Sequence, residues 1–392
     1  MALLLSVGGA YALASWDWCP RADGPSPKIV SRLQAAGPLS AGAGSAALEV
    51  PYPIVAAGYG PTRPEVSTAT QPLMARATVL RAGDVTFGLV TLDLLLVPDD
   101  VAAEVRSKAG LSDVWVAATH SHSSMGGYDS RLIAQLAGTG RFRADARAAV
   151  VDAALAALKA ASAQLVPVTI AEGHSDAALA TARTGDAVDA RITKLQLGDV
   201  AQWLMLAAHP TTVARPATAL DPDWPGSLAS ASDAGVTLVL QTAVGNARAR
   251  GDTPGEVAAQ AGAAFDALTL QAVEVPAMKV TRVQLTPPAP DATRLVPRLF
   301  AMPGHNFLCA SAPRQAEVGI LELGPLLLVA VPAEVTHASA QSLGVPIISL
   351  ANGYLGYVEP AEVVERSEGE ARRQYYDKSL LDAFRAAIAA GR

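Results

Sequence analysis

Cysteine and clustered basic charge are scarce in this sequence, and each shortage excludes a class of protein. The chain of 392 residues has two cysteines, Cys19 and Cys309, too few for a disulfide framework or a zinc site built on cysteine. The sequence leaves open whether these two cysteines pair. Only 17% of the residues are charged, the net charge is -6 and no basic block occurs, which argues against a nucleic-acid partner.

Several sequence motifs are also missing. No phosphate-binding loop of the Walker type, no G-x-G-x-x-G after a strand and no internal repeat occurs, so nothing indicates a nucleotide-binding or repeat protein. Residues 1–16 are apolar and uncharged apart from the amino terminus, but they fall short of the ~20 residues of a membrane span. Ala12-Leu13-Ala14 fits a signal-peptidase site.

These features set the expected domain boundaries. We expect residues 1–19 to be a signal or anchor segment of an exported or membrane-anchored protein. The alternative is a buried N-terminal segment in a cytoplasmic one. Residues 20–47 are rich in Pro, Gly, Ala and Ser and predict a linker, and residues 48–392 predict one large domain.

Hydrophobic residues make up 51% of the chain, and their spacing predicts an α/β fold. Two hairpins among the strands indicate mixed β-sheet layers flanked by helices rather than a purely parallel sheet. Predicted strands cover residues 74–81, 85–95, 113–118, 166–172, 191–197, 202–208, 236–241, 278–285, 317–323 and 326–331. Predicted helices cover residues 101–109, 141–161, 255–270, 332–343 and 371–390.

The stretch VWVAATHSH, residues 114–122, is the most informative one. Its apolar start predicts a short buried strand, and the strand ends on His120 and His122. Because strand side chains alternate, these two imidazoles point the same way if the extended geometry persists. The alternative is a pair of polar residues that simply opens a loop.

Three further apolar runs end near a residue that can bind a metal: His209, Glu334 and Tyr357. If the strands lie side by side, these side chains and His120 share one sheet edge. Two histidines and a glutamate are typical ligands of a catalytic zinc that keeps a position open for water. Tyrosine is a less common zinc ligand, and Tyr357 could equally donate a hydrogen bond to an oxyanion.

Each of these residues has a structural alternative. His209 could be a strand-end residue hydrogen-bonded to backbone. Glu334 could be a helix N-terminal carboxylate, which the helix dipole favours. Tyr354 and Tyr357 could be a packing pair. The metal hypothesis therefore depends on all four ligands occurring at similar places.

The order of four motifs resembles the N-terminal catalytic domain of the neutral/alkaline (non-lysosomal) ceramidases. The resemblance covers about residues 49–370. The motifs are ATHSHSSMGGY, LAAHPTTV, LLLVAVPAEVT and LANGYLGYV. It implies that domain's fold and an amide hydrolase. It also implies a Zn2+ ion held by His120, His209, Glu334 and Tyr357.

The resemblance also implies roles around the zinc. His122 corresponds to the histidine that acts on the water or the leaving group. Arg183, in LATARTGD, corresponds to the arginine of an Asn-Arg pair that holds the oxyanion, with Ala182 here in place of the Asn.

Two positions depart from that family's pattern. Arg248 stands where the family has its active serine, and Ser367 stands where it has a second tyrosine. Arginine stays protonated and cannot serve as a nucleophile, so a serine-dependent route is excluded at that position. We hypothesise that Arg248, with Arg250, binds an anionic group of a different substrate. We predict that Arg248 and Tyr354 contact substrate.

We therefore expect a zinc-dependent hydrolase of an amide, or an ester, in an N-acyl or lipid-like substrate. His122 and Arg183 are its predicted catalytic residues. The alternative is a catalytically silent relative that binds a lipid or an envelope component. The expected partners are a small-molecule or lipid-like substrate and a membrane surface, with no nucleic acid.

Overall fold

The computed structural model describes residues 16–19, 26–58, 60, 64–185, 187–232 and 235–392. The predicted signal or anchor segment lies mostly outside these residues. Within them, no helix has the length and apolar character needed to cross a membrane.

Strands dominate the first half of the chain and alternate with helices in the second. The strands are β1 Lys28–Ala36, β2 Leu39–Ala47, β3 Ile54–Val55, β4 Glu65–Val66, β5 Met74–Ala82, β6 Val85–Leu92, β7 Asp113–Ala118, β8 Val166–Pro167, β9 Ile170–Asp176, β10 Ala180–Ala182 and β11 Arg191–Leu197. They continue as β12 Ala201–Leu206, β13 Val236–Gln241, β14 Ala247–Ala249, β15 Gln271–Val273, β16 Ala277–Leu285, β17 Ala316–Leu323, β18 Leu326–Ala330, β19 Glu334–Val335, β20 Ile347–Ile348 and β21 Tyr357–Val358.

The helices range from single turns to five turns. They are α1 Asp99–Lys108, α2 Leu132–Ala134, α3 Ala144–Ser162, α4 Asp223–Ala231, α5 Pro254–Asp266, α6 Ala301–Ser311, α7 His337–Leu343, α8 Ala361–Glu365 and α9 Leu380–Gly391. A π-helical turn, Gln135–Thr139, continues α2, and 3-10 turns cover Arg298–Phe300 and Ala371–Arg373.

The described residues form three five-stranded sheets, which we call the first, second and third sheets. Their strand orders are β7-β6-β5-β2-β8, β13-β12-β11-β9-β15 and β1-β16-β17-β18-β20. Each sheet is antiparallel except for one parallel pair at an edge: β6 with β7, β12 with β13, and β18 with β20. The predicted mixed α/β class, with helices outside mixed sheets in one large domain, is confirmed.

The inner faces of all three sheets meet in one central core. Trp115 of β7, Trp203 of β12 and Leu328 of β18 belong to this cluster. The next residue along each strand, such as Val116 or Leu204, faces an outer core instead. Because both faces are buried, these strands are apolar at every position, and their sequences lack a polar alternation.

Helices cover the outer face of each sheet. Buried side chains of α1 and α3 pack on the first sheet, those of α4 and α5 on the second, and those of α9 on the third. In α3, alanine and valine at helical spacing form the buried stripe, which explains why its sequence predicts a helix so clearly.

Three segments differ from the sequence prediction. Residues 28–47, predicted as part of a linker, form β1 and β2. β1 pairs with β16, and the small residues of β2 allow it to pack under α3. The predicted helix from residue 332 begins only at His337, since Glu334 pairs with Tyr357 in a parallel two-stranded ladder. The predicted C-terminal helix is also interrupted, and residues 374–379 are non-helical.

The sequence left the pairing of Cys19 and Cys309 open, and the structure shows a disulfide between them, with their Cα atoms 5.7 Å apart. It ties the segment at residues 16–19 to α6. Asn306 of α6 adds two hydrogen bonds. Its Oδ1 accepts from the Trp18 N–H at 3.1 Å, and its Nδ2 donates to the Trp16 carbonyl oxygen at 2.7 Å.

Gly319 allows the first and third sheets to pack closely. A Cβ atom at this position of β17 would lie 2.4 Å from Cε2 of the fully buried Trp115. We predict that Gly319→Ala lowers the free energy of unfolding by about 1–3 kcal/mol, because an indole in a dense core cannot move aside. Urea denaturation measures this loss.

Gly262 of α5 provides the matched control. Its added Cβ would meet Leu228 Cδ1 at 3.6 Å, an ordinary contact, so Gly262→Ala should gain about 0.5–1 kcal/mol from helix propensity. Equal unfolding free energies for Gly319→Ala and the wild type would contradict this account of the sheet packing.

Candidate metal centre

Three loops and one short ladder deliver the predicted metal ligands to one place. His120 follows β7, His209 follows β12, and Glu334 follows β18. The strands do not lie side by side, as the sequence prediction assumed, but belong to three different sheets. The parallel register of β19 and β21 then sets Tyr357 directly beside Glu334.

The side-chain tips of these residues converge. Glu334 Oε2 lies 3.2 Å from His120 Nε2 and 3.1 Å from His209 Nε2. The Tyr357 hydroxyl lies 3.3 Å from the same His209 nitrogen. Ligand atoms of His120, His122 and His209 also lie within 4.8 Å of one another. The structure therefore brings together all four predicted ligands and the neighbouring histidine.

Backbone carbonyls determine which imidazole nitrogen carries the proton. His120 Nδ1 lies 2.7 Å from the Leu95 carbonyl oxygen, and His209 Nδ1 lies 3.0 Å from that of Ala247. A carbonyl oxygen only accepts, so each Nδ1 must be the donor. In neutral rings the Nε2 lone pairs then face Glu334, the arrangement found in histidines that bind metals.

This donor set fits a divalent cation. In neutral rings, the two imidazole nitrogens turn lone pairs toward a carboxylate oxygen only 3.1–3.2 Å away, and such donors repel one another unless a positive charge lies among them. Atoms bound at ~2.0–2.1 Å around a tetrahedral zinc ion lie about 3.3 Å apart, close to the observed separations.

His120 and His122 come together differently from the sequence prediction. The strand ends at Ala118, and His120 has a left-handed backbone with φ 75°, so the extended geometry does not persist to His122. The turn nevertheless brings the two Nε2 atoms within 3.3 Å. A positive φ is unfavourable for histidine, and backbone strain of this kind is frequent at functional sites.

Hydrogen bonds hold the loop that carries His122. The hydroxyls of Ser121 and Ser123 both donate to the Asp221 carbonyl oxygen, at 2.8 and 3.0 Å. The His122 N–H donates to the Pro210 carbonyl, one residue beyond His209. These bonds fix the His122 loop against the loop that follows β12.

Burial and mutual charge shift the pKa values at the centre. Burial lowers the pKa of His209, and burial together with the neighbouring histidines holds the pKa of His122 well below its ordinary value. Burial alone would raise the pKa of Glu334, but His120 and His209 outweigh it and keep that pKa well below its ordinary value. The shifts favour the neutral form of His122 and His209 and the charged form of Glu334, the forms that metal binding requires.

Tyr354 orients the carboxylate. Its hydroxyl donates to Glu334 Oε1 at 2.6 Å, which leaves Oε2 to face the histidines. Arg131 donates to the Tyr354 carbonyl at 3.3 Å and is itself held by two-pronged bonds to the fully buried Asp129. Tyr354, predicted to contact substrate, thus also supports the candidate ligand Glu334.

Arg183 lies behind Tyr357. Its Nη2 donates to the Tyr357 hydroxyl at 2.9 Å and to the Gly245 carbonyl at 2.7 Å, and its Nε binds Glu370 at 2.9 Å. Burial disfavours the charge on Arg183, but Tyr357 and Glu370 outweigh it and raise its pKa. These bonds commit Arg183 to positioning Tyr357, and Arg183 does not line the cavity described next.

A cavity of about 290 Å³ opens in front of the candidate ligands. His120, His122, Glu334 and Tyr357 form its base. Apolar side chains and several aromatic or basic ones form its walls. The wall residues include Leu95, Leu96, Ile133, Ala134, Ala137, Pro313, Tyr354, Tyr375, Arg131, Arg372 and Arg373.

Arg248 lies in a different position from the one predicted for a substrate-binding residue. Its backbone forms a β-bridge with His209, but its side chain is exposed and does not line the cavity. Arg372 and Arg373 line the cavity instead. Side chains alternate along β14, and Arg248 is its exposed member between the buried Ala247 and Ala249.

Sequence reasoning missed Glu370, Arg131, Arg372 and Arg373. Glu370 is fully buried and accepts bonds from Arg183, Thr184 and Arg373. Glu370, Arg372 and Arg373 belong to the charged run RSEGEARR, residues 366–373. A glutamate and two arginines in such a run carry no signal that distinguishes the buried member.

Comparison with known proteins supports the fold. No protein-family model and no curated sequence matches this chain. A neutral ceramidase from Pseudomonas aeruginosa matches the structure with a TM-score of 0.74 and 18% identity, covering 90% of this chain and 74% of that one. A ceramidase complexed with C2 matches with a TM-score of 0.73 and 17% identity, covering 90% and 75%.

The chain has the neutral ceramidase fold. The resemblance seen in the four sequence motifs is thereby confirmed at the level of the fold, and at this identity the match shows the fold alone.

The Tyr354 bond leads to a prediction about metal affinity. Tyr354→Phe removes the hydroxyl that orients Glu334, and loss of such a supporting bond lowers metal affinity about 10–100-fold. Titration of zinc against a chromophoric chelator measures the change. Tyr52→Phe, which alters an exposed tyrosine, is the control. An unchanged affinity in Tyr354→Phe would contradict the supporting role.

The low pKa of His122 leads to a prediction about stability in chelator-treated protein. Below about pH 6.5 the unfolded chain takes up a proton that the folded His122 refuses, so stability falls as pH falls. His122→Gln removes this group and should flatten the slope between pH 7 and 5.5 by up to ~1.4 kcal/mol per pH unit. Parallel urea-denaturation curves for the variant and the wild type would argue against it.

Proposed function

We propose that the protein is a zinc-dependent hydrolase that cleaves an amide bond, or an ester bond, in an N-acyl or lipid-like substrate. The observation that carries this proposal is the convergence of the candidate ligands beside a cavity. Glu334 Oε2 lies 3.2 Å from His120 Nε2 and 3.1 Å from His209 Nε2, and His120 and Glu334 line the cavity. The likeness of the fold to two ceramidases supports an amide as the bond attacked.

The chain supplies the proton acceptor and the positioning groups. Zinc in such a donor set acts as a Lewis acid toward a carbonyl and lowers the pKa of water. His122, neutral because its pKa is low, takes the proton of the attacking water and returns it to the leaving nitrogen. Arg183 holds the Tyr357 hydroxyl at 2.9 Å, beside the candidate ligands.

The cavity suits a substrate with a hydrophobic part. Leu95, Leu96 and Ile133 line one region of it, and such walls bind alkyl chains by removing apolar surface from water. The Cys19–Cys309 disulfide supports export, because disulfides persist in oxidising compartments.

One observation favours a second candidate, a binding protein without turnover. Arg248 occupies the position where the ceramidase pattern has a serine, and its side chain points away from the cavity. Such a protein would hold a lipid-like ligand in the same cavity. Turnover measurements separate the two candidates.

Metal analysis tests the site itself. We predict one zinc ion per chain in protein purified without chelator, and about 10-fold or greater loss of affinity in His209→Ala, because one of the donors is removed. His174→Ala, which alters an exposed histidine on β9, should keep the metal. Absence of bound zinc from both the purified and the zinc-dialysed protein would contradict the proposal.

Kinetics test the role of His122. We predict that His122→Ala lowers kcat for an N-acyl amide about 10²–10⁴-fold, the usual contribution of a general base, while the zinc content stays unchanged. A screen of N-acyl amides with different chain lengths identifies the assay substrate. Full activity in His122→Ala would rule out this histidine as the base.

A further inference from the structure

We propose that the cavity selects N-acyl substrates whose amine portion carries an anionic group, and that Arg372 and Arg373 bind that group. This inference rests on the hydrolase function proposed above and names the substrate class for the same site. It replaces Arg248, which lies outside the cavity, as the anion-binding residue.

The charges on the cavity wall are unbalanced. Among the described residues that line it, the cationic ones are Arg131, Arg372 and Arg373, and the one carboxylate is Glu334. Glu334 is the candidate ligand at the base, so it would be neutralised by the metal. The side chains that line the cavity therefore carry more positive than negative charge, which favours an anion within the cavity.

The three arginines differ in how far they are committed to other groups. Arg131 is 15% exposed, binds Asp129 through two nitrogens and also donates to the Tyr354 carbonyl, so it is structural. Arg373 binds Glu370 through Nη1 and remains 54% exposed. Arg372 is exposed and makes no ion pair with the described residues.

Glu370 does not cancel the charge of its neighbours. Arg183 and Arg373 share this single buried carboxylate, through Oε1 and Oε2 respectively. One negative charge thus serves two guanidinium groups, and Arg372 adds a third cation next in sequence to Arg373. A carboxylate or phosphate of the substrate would restore the balance, since guanidinium groups bind either in a two-pronged manner.

The position of Arg373 matches the amine side of the scissile bond. Its guanidinium carbon lies 5.8 Å from the centre of the Tyr357 ring, next to the candidate ligands. The apolar wall formed by Leu95, Leu96 and Ile133 suits the acyl chain. A carbonyl at the metal therefore leaves a short, charged amine substituent within reach of Arg372 and Arg373.

The test compares two substrates with the same acyl chain. N-dodecanoylglycine carries a carboxylate on its amine portion, and N-dodecanoylethanolamine carries a neutral hydroxyl of similar size. We expect kcat/KM of the zinc-loaded protein to favour the glycine conjugate by about tenfold or more, as charge-assisted hydrogen bonds allow. Arg372→Gln and Arg373→Gln should bring the ratio of the two kcat/KM values toward one.

Calorimetric binding of both compounds to chelator-treated protein gives a second readout that needs no catalysis. The same preference for the glycine conjugate, reduced in the two variants, is expected there. Arg366→Gln is the control, because Arg366 lies in the same segment, is exposed and pairs with the exposed Glu368. Its substrate preference should equal that of the wild type.

The outcomes separate this inference from the hydrolase proposal. Equal turnover of both compounds, unchanged in the arginine variants, would overturn the inference and leave the hydrolase intact. Arginine-dependent preference in binding, without turnover of either compound, would support anion recognition and overturn the hydrolase. If neither compound is turned over and neither binds preferentially, both the inference and the hydrolase proposal are overturned.

Discussion

The carbonyl oxygens of Leu95 and Ala247 determine what the candidate metal centre can do. By accepting the Nδ1 protons of His120 and His209, they turn both Nε2 lone pairs toward the Glu334 carboxylate. When both rings are neutral, three electron-pair donors face one another, and a cation among them would relieve their repulsion. Much of the surrounding structure holds these donors at that separation.

The three sheets provide the rigidity that this arrangement needs. Each sheet ends in a parallel edge pair, and one strand of that pair precedes His120, His209 or Glu334. Their inner faces share one core that contains Trp115 and Trp203, so the three strand ends cannot move independently. Donors that lie far apart in sequence thereby acquire fixed mutual positions, which metal selectivity and catalysis both require.

Around the donors, the structure separates orientation from recognition. Arg131 and Arg183 are bound to buried carboxylates. Arg131 holds Tyr354, which donates to Glu334, and Arg183 holds Tyr357, itself a candidate ligand. Arg373 belongs to the same network but keeps half of its surface exposed toward the cavity. Arginine side chains therefore have two roles around the site. The number of hydrogen bonds that each makes within the protein distinguishes the orienting arginines from the more exposed one.

The sequence by itself determined the fold class, most strands and the residues of the candidate metal centre, because doubly buried strands and their terminal histidines leave a local pattern. It failed at β1 and β2, which lie in a stretch whose many Pro, Gly, Ala and Ser residues resemble a linker, and at Glu334, which lies in a ladder rather than a helix. Only the tertiary structure decided that Arg248 faces outward while Arg372 and Arg373 line the cavity. Side-chain direction in an irregular, charged segment depends on long-range packing, and local sequence carries no record of it.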